Sequence, residues 1–433
     1  MIFLHSSFRV SSTWLWSRFR QSDRVIAYCE VFHEMLATIT RTQLNIVTHS
    51  TWYSKHPVGA GYFLEFLPFI RDEGGVDNFT PSMSFERFVP TGGLRGAISE
   101  TERAYIAGLI AHAERVGKIP VLSATRSLGR LRAIKTEFPG LHILVYRNLF
   151  HQWCSYTEQC LHDNPHFLTT IRTTIEANQH DAFFRHLRDL YPLDIPEIDS
   201  ADYFCCFVLL HLYLYAQMVD GADLVIDVNR LCSDGDYRHA IEGQIADASQ
   251  VTIDLSDVRN TIAFSFVVPE KSEQVLDQIK IVADVVIANA PSSQGRAFAS
   301  KVLTEFAEEY SRYHFYAGAL VAVAGNSGLL GQRNRLRAER DGLRAERDSL
   351  LAERDGLRAE RDSLRAERDG LRAERDSLLA ERDGLRAERD SLLAERDGLR
   401  AERDSLLAER DGLLRSTSWR LTAPIRAIRK LFK

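Results

Sequence analysis

Three groups of residues in this 433-residue chain have the types and spacing for polar chemistry. The first follows a short apolar run, Ile2 to Leu4. Arg9, Ser11, Ser12, Thr13 and Trp14 stand where a serine-rich turn gives way to the helical pattern Thr13–Arg20. Hydroxyls and backbone N–H groups at a helix start, with a guanidinium beside them, make a cradle for phosphate or sulfate. The second group is Arg147 and Ser155, eight residues apart, at the end of an apolar run and on the helical pattern after it. A guanidinium fork with a hydroxyl donor is again chemistry for an anion. The third is Glu30, His33 and Glu34, just beyond the apolar run Val25–Cys29. A carboxylate or imidazole there suits proton abstraction from a hydroxyl or amine. Glu30 is the first choice of base because it sits at the carboxyl end of a strand pattern; His33 and Glu34 are the alternatives. Of Arg126 and Arg130, in the segment Ser123–Arg130, one would contact sulfate or an acidic acceptor, Arg126 first because it directly follows a strand pattern; the other reading makes them surface charges on the next helix.

These residues need a frame. Strand patterns are Ile2–Leu4, Val25–Cys29, Pro120–Thr125, His142–Tyr146 and Leu224–Val228. Helical patterns lie between and beyond them at Thr13–Arg20, Phe32–Thr40, Glu100–Val116, Phe150–Leu161, Tyr203–Val219 and Arg238–Ala248. Short apolar strands alternating with helices predict an α/β fold, a three-layer sandwich around a central parallel sheet. Ligands in such folds bind at the carboxyl ends of the strands. All three groups are placed there.

The run Arg9-Val10-Ser11-Ser12-Thr13-Trp14 lacks the glycine pair and lysine of a Walker A loop. It resembles the 5′-phosphosulfate loop of sulfotransferases, which reads Lys/Arg-Ser-Gly-Thr-Thr-Trp or a near variant. Arg9 falls on the basic position, Ser12 and Thr13 on the hydroxyl pair and Trp14 on the aromatic. Val10 replaces the serine and Ser11 the glycine. Arg147 and Ser155 are similar to the Arg and Ser that hold the 3′-phosphate in that family, with Leu149 where a proline often stands. The resemblance spans Ile2 to Tyr156. It implies a P-loop-like sulfotransferase fold, and 3′-phosphoadenosine 5′-phosphosulfate (PAPS) as co-substrate. It further implies a glycan or other hydroxyl acceptor, no metal, and a Glu or His base. The acceptor would be gripped by the loops 51–96 and 163–199. The enzyme alternative is a P-loop kinase acting on a small molecule or sugar, which needs a phosphate lysine and Mg²⁺ ligands that the sequence does not offer.

Composition sets the bounds. Apolar residues make up 45% of the chain, enough for a large core, and a net charge of −5 argues against nucleic acid as partner. Six cysteines without a CxxC pair suit reduced thiols, and Met1 to Leu4 is too short for a signal h-region, so a cytoplasmic location is expected. The sequence divides into a globular part (1–325), a glycine-rich hinge (326–335), a heptad array (336–415) and a tail (416–433). In the array a leucine recurs every seven residues from Leu336 to Leu413, twelve in all, with extra leucines at 351, 379, 393, 407 and 414. That predicts a helix about 120 Å long, with Arg337–Asp341 ion pairs repeating four residues apart. With leucine at heptad position d, arginine occupies a, so only weak self-association into a homo-oligomer is expected. The tail STSWRLTAPIRAIRKLFK is basic and amphipathic and suits the inner face of an anionic membrane. It is similar to the ending of bacterial surface-polysaccharide glycosyltransferases. A non-catalytic coiled-coil scaffold at the membrane is the other alternative.

Overall fold

Five buried strands form one sheet, β1 (Ile2–His5), β2 (Val25–Tyr28), β3 (Ile119–Ala124), β4 (Leu141–Tyr146) and β5 (Leu224–Asp227), in the order β2-β3-β1-β4-β5. All four pairings are parallel, with Leu4 opposite Ser123 on one side and Ile143 on the other. The computed structural model describes residues 1–44, 61–162, 164–259, 269, 272–323 and 328–431. Near-continuous apolar strands are what a parallel sheet buried on both faces requires. Along β4 the two-residue alternation divides the core. Ile143 and Val145 join an apolar cluster with Leu15 and Phe19 of α1 (Ser12–Arg20), whereas Leu144 and Tyr146 join a second one with Trp153 and Phe207. Each fully buried side chain of this size contributes about 1.5–3 kcal/mol to folding.

Local signals set the helix starts. Ser99 and Glu102 form a reciprocal capping box on the helix Glu100–Arg115, and Asn148 accepts the N–H groups of Phe150 and His151 at the start of the helix Leu149–Leu161. The helix Ala201–Met218 is apolar on every side because it is packed within the core. One expected helix is absent: Phe32–Thr40 yields only a single turn of 3₁₀ helix, Glu34–Ala37. The carbonyls of Leu36 and Ile39, which a continuing helix would use, accept instead from the backbone N–H groups of Val76 and Gly75.

The chain divides into two compact units, Met1–Val323 and Ala324–Lys433. The second is the helix Gly328–Arg415 followed by Thr417–Leu421 and Ala423–Leu431. Of the expected hinge, residues 326 and 327 lie outside the described residues, and its remainder is helical from Gly328 onward. The tail forms its basic helix, with Ile425 and Ile428 exposed.

Candidate functional site

The loops at the carboxyl ends of β1, β2, β3 and β4 carry almost every residue singled out above. The β1 loop is pinned on both sides: Ser6 N–H donates to Ala124 O at 3.2 Å, and Gln152 Nε2 donates to Phe8 O at 2.6 Å. Within this fixed loop, Arg9 and Ser11 have φ of 64°, and Glu30 in the β2 loop has φ of 50°. Left-handed backbone at a residue other than glycine is uncommon, and such strain gathers where surrounding structure holds a site in place. Ser11 therefore takes the conformation that a glycine adopts freely. A Ser11→Gly substitution is expected to keep the loop and stabilise the protein by up to about 1 kcal/mol, read from the urea midpoint. A loss of stability would mean that the Ser11 side chain holds the loop.

Helix α1 begins directly after Ser11, with no acidic residue in its first turn and no side chain capping its first N–H groups from Ser11. Its positive end is thus presented toward the loop. Arg9 Nε donates to Ser155 Oγ at 2.8 Å, and its guanidinium lies 5.2 Å from the ring centre of Phe167. Arg147 Nη1 donates to the carbonyl of Arg9 at 3.1 Å. The three residues expected from two distant motifs thus form one connected cluster. Burial lowers the pKa of both guanidinium groups, Arg147 to about 10, and the nearby Arg9 charge pushes Arg147 down further. Two cations that disfavour one another in a desolvated site favour an anion between them. Trp14 is placed otherwise: its indole N–H donates to Asp257 Oδ1 at 3.1 Å, the carboxylate that also binds Arg18.

The second half of the site centres on Arg126, 1% exposed. Its guanidinium lies 4.9 Å from the ring centres of both Phe8 and Phe85, with Nη1 3.4 Å from Glu30 Oε2 and Nη2 2.6 Å from Glu34 Oε2. Glu30 Oε2 also accepts from Thr125 Oγ1 at 2.6 Å and from Thr125 N at 3.3 Å. Among the described residues no donor reaches Glu30 Oε1. Burial raises the Glu30 pKa, against the lowering by Arg126 and Thr125. Burial also pushes Glu34 upward, but there Arg126 and His33 outweigh it and the carboxyl stays below its ordinary value. His33 is buried and Nδ1 accepts from Met35 N at 3.1 Å, so it caps the 3₁₀ turn. Burial, then Arg126, lower its pKa and keep it neutral.

Arg130 does not serve the cleft. It is fully buried, and its donors go to Glu102 Oε1 at 2.6 Å, Met83 O at 2.6 Å, and the carbonyls of Ser84 and Arg126. Its side chain ties the β3 loop to the capping box of another helix. Phe8, Phe85 and Thr125 are functional neighbours that motif spacing did not reveal; only Thr125, directly before Arg126, carried a sequence signal. The two halves are joined by Phe8, which stacks on Arg126 and precedes Arg9, and by Tyr62, whose pKa burial raises and which feels both Glu30 and Arg9. Of the loops expected to grip the acceptor, residues 51–60 and 163 lie outside the described residues.

Chemically, the arrangement offers an anion cradle beside a part-buried carboxylate with one oxygen left to accept a proton. Among the described residues no three His, Cys, Asp or Glu side chains converge as metal ligands. The chain matches no family model, no curated protein and no solved structure.

Proposed function

We propose that the first unit is a sulfotransferase that moves a sulfuryl group from PAPS to a hydroxyl of a glycan or lipid-linked sugar. The observation that carries this reading is the Arg9–Ser155–Arg147 cluster at the start of α1, reached from two motifs that lie 138 residues apart. The residues suit the co-substrate: two desolvated guanidiniums, a hydroxyl and a helix start without acids match two anionic groups. Arg9, Ser11, Ser12 and Thr13 would hold its 5′ end, and Arg147 with Ser155 its 3′-phosphate. When bound, PAPS supplies the activated sulfuryl group. Glu30 accepts the acceptor's proton at Oε1, while Thr125 and Arg126 fix its other oxygen. Glu34 and Arg126 border the place where that hydroxyl arrives. The exposed basic tail suits an anionic membrane surface, where lipid-linked sugars are found.

Calorimetric titration of the full chain with the product 3′-phosphoadenosine 5′-phosphate tests the proposal. Binding is expected, and adenosine 5′-monophosphate should bind at least about tenfold more weakly, because charge-assisted contacts to the missing 3′-phosphate are worth about 1.5–3 kcal/mol. No binding, or a preference for ATP with Mg²⁺, would overturn it.

A further inference from the structure

The long helix Gly328–Arg415 carries a row of leucines that nothing in its own unit covers: Leu357, Leu371, Leu385 and Leu399 are each 58–60% exposed. A helix that keeps such a row exposed for about 12 turns has an apolar seam without a partner. Taking these leucines as d, each heptad reads Leu at d, Arg or Leu at e, Ala at f, Glu at g, Arg at a, Asp at b and Gly or Ser at c. Arginine at a is the obstacle to pairing. The structure removes it. Each described a-position arginine from Arg354 turns to the aspartate beside it, as in Arg354 Nη2 to Asp355 Oδ1 at 2.8 Å, Arg382 to Asp383 at 2.7 Å and Arg410 to Asp411 at 2.7 Å. These pairs are one residue apart, in place of the four-residue spacing expected from sequence. They draw the guanidiniums toward b, away from the a/d seam, while leaving their alkyl stems to line it.

The surface left behind is a series of hollows at heptad intervals. One is lined by Leu392, Glu395, Arg396, Leu399, Arg400 and Arg403, the d, g, a, d, e and a positions in turn. The same set recurs from Leu364 and from Leu378. In a parallel two-stranded coiled coil a d residue enters a hole made by a, d, e and the next a, and an a residue enters one made by d, g, a and d. Each hollow is the union of those two holes.

Charge selects the occupant. Every described aspartate from Asp355 to Asp411 has an arginine partner on its own helix, but among the described residues no glutamate of the g row has one. In a parallel pair, g faces the following e of the other strand. Glu339, Glu353, Glu360, Glu367, Glu381 and Glu395 would then meet Arg344, Arg358, Arg365, Arg372, Arg386 and Arg400 of the second strand. Of these, Arg358, Arg365, Arg372, Arg386 and Arg400 are only loosely held, at 3.4–3.8 Å from aspartates three residues back. In an antiparallel pair the glutamate row would face its own copy. We propose that this helix binds a second copy of the same chain as a parallel, in-register two-stranded coiled coil, with leucine rows in contact and the glutamate row set against the arginine row. The two basic tails then emerge together and double the charge offered to one surface.

The test uses the full chain. Sedimentation should give twice the chain mass, and Leu350→Cys should form a disulfide-linked dimer on mild oxidation that the parent, with its own free cysteines, does not form. Reversing Glu360, Glu367 and Glu395 to Arg should weaken the dimer by at least about tenfold with helix content unchanged, and adding Arg365→Glu, Arg372→Glu and Arg400→Glu should restore it. A monomer at the highest soluble concentration, or a trimer, would overturn the proposal. So would a Leu350→Cys chain that cross-links only to Leu399→Cys, the antiparallel outcome.

Discussion

Glu30→Gln is expected to bind 3′-phosphoadenosine 5′-phosphate as tightly as the parent and to transfer sulfate about 10²–10⁴-fold more slowly, the usual contribution of a positioned general base. The amide keeps the volume and the oxygen that Thr125 binds at 2.6 Å, so the cradle around Arg9 is untouched. What it loses is the ability to take a proton at the oxygen that Thr125 and Arg126 leave open. A second signature follows from burial, which raises the Glu30 pKa above its ordinary value of 4.5. In the parent, kcat/KM should fall as pH drops through that raised pKa, and the variant should lack this limb. Stability should move the other way. A carboxyl with a raised folded pKa binds its proton more tightly when folded. The parent therefore loses stability as pH climbs from the unfolded pKa through the folded one, and below both values there is no loss. The variant cannot ionise, so its stability relative to the parent should grow across that window, as measured by urea unfolding at several pH values. Sulfate transfer at the parent rate would move the base to His33 or Glu34.

Arg9→Ala should weaken binding of 3′-phosphoadenosine 5′-phosphate by about 2–3 kcal/mol, or roughly 30–150-fold. The same backbone strain persists, since alanine and arginine share the cost of a φ of 64°, so the loss reports the guanidinium and its contact with Ser155. Arg9→Lys should recover only part of it, because an ammonium cannot form the planar fork. The neighbour offers an internal check. Burial depresses Arg147 and the Arg9 charge adds to it, so removing that charge should raise the Arg147 pKa toward its ordinary value. Unchanged affinity in Arg9→Ala would remove this residue from the anion site and with it the main support for the phosphosulfate reading.

Much of this frame could be read from local pattern. All five strands fall within a residue or so of the apolar runs that announce them, because a strand buried on both faces is marked by consecutive apolar residues and needs no knowledge of its neighbours. The helix Glu100–Arg115 follows the helical pattern Glu100–Val116 to within one residue. The region Phe32–Thr40 misled for the converse reason: its apolar spacing is helical, but the competing donors are the backbone N–H groups of Gly75 and Val76, which no local window contains. The fates of Arg126 and Arg130 differ in the same way. Both follow β3 and look alike in sequence, yet Arg130 is claimed by Glu102 and by carbonyls near residue 83, and Arg126 by Glu30, Glu34 and two phenyl rings.

The sequence by itself determined the strands, most of the helices, the two motifs proposed to hold anions and the heptad period, since each depends on residues within a few turns of one another. The tertiary structure alone decided three things. It placed Arg9 in the left-handed region beside Ser155, 146 residues away. It divided two similar arginines, setting Arg126 against the carboxylates of Glu30 and Glu34 and Arg130 in a sealed pair with Glu102. Along the described residues of the rod from Arg354, it paired the a-position arginines with neighbouring aspartates and gave the g-row glutamates no such partner. Side-chain ion pairs and strained backbone are settled by whichever groups burial brings within about 4 Å, and spacing along the chain does not encode that distance.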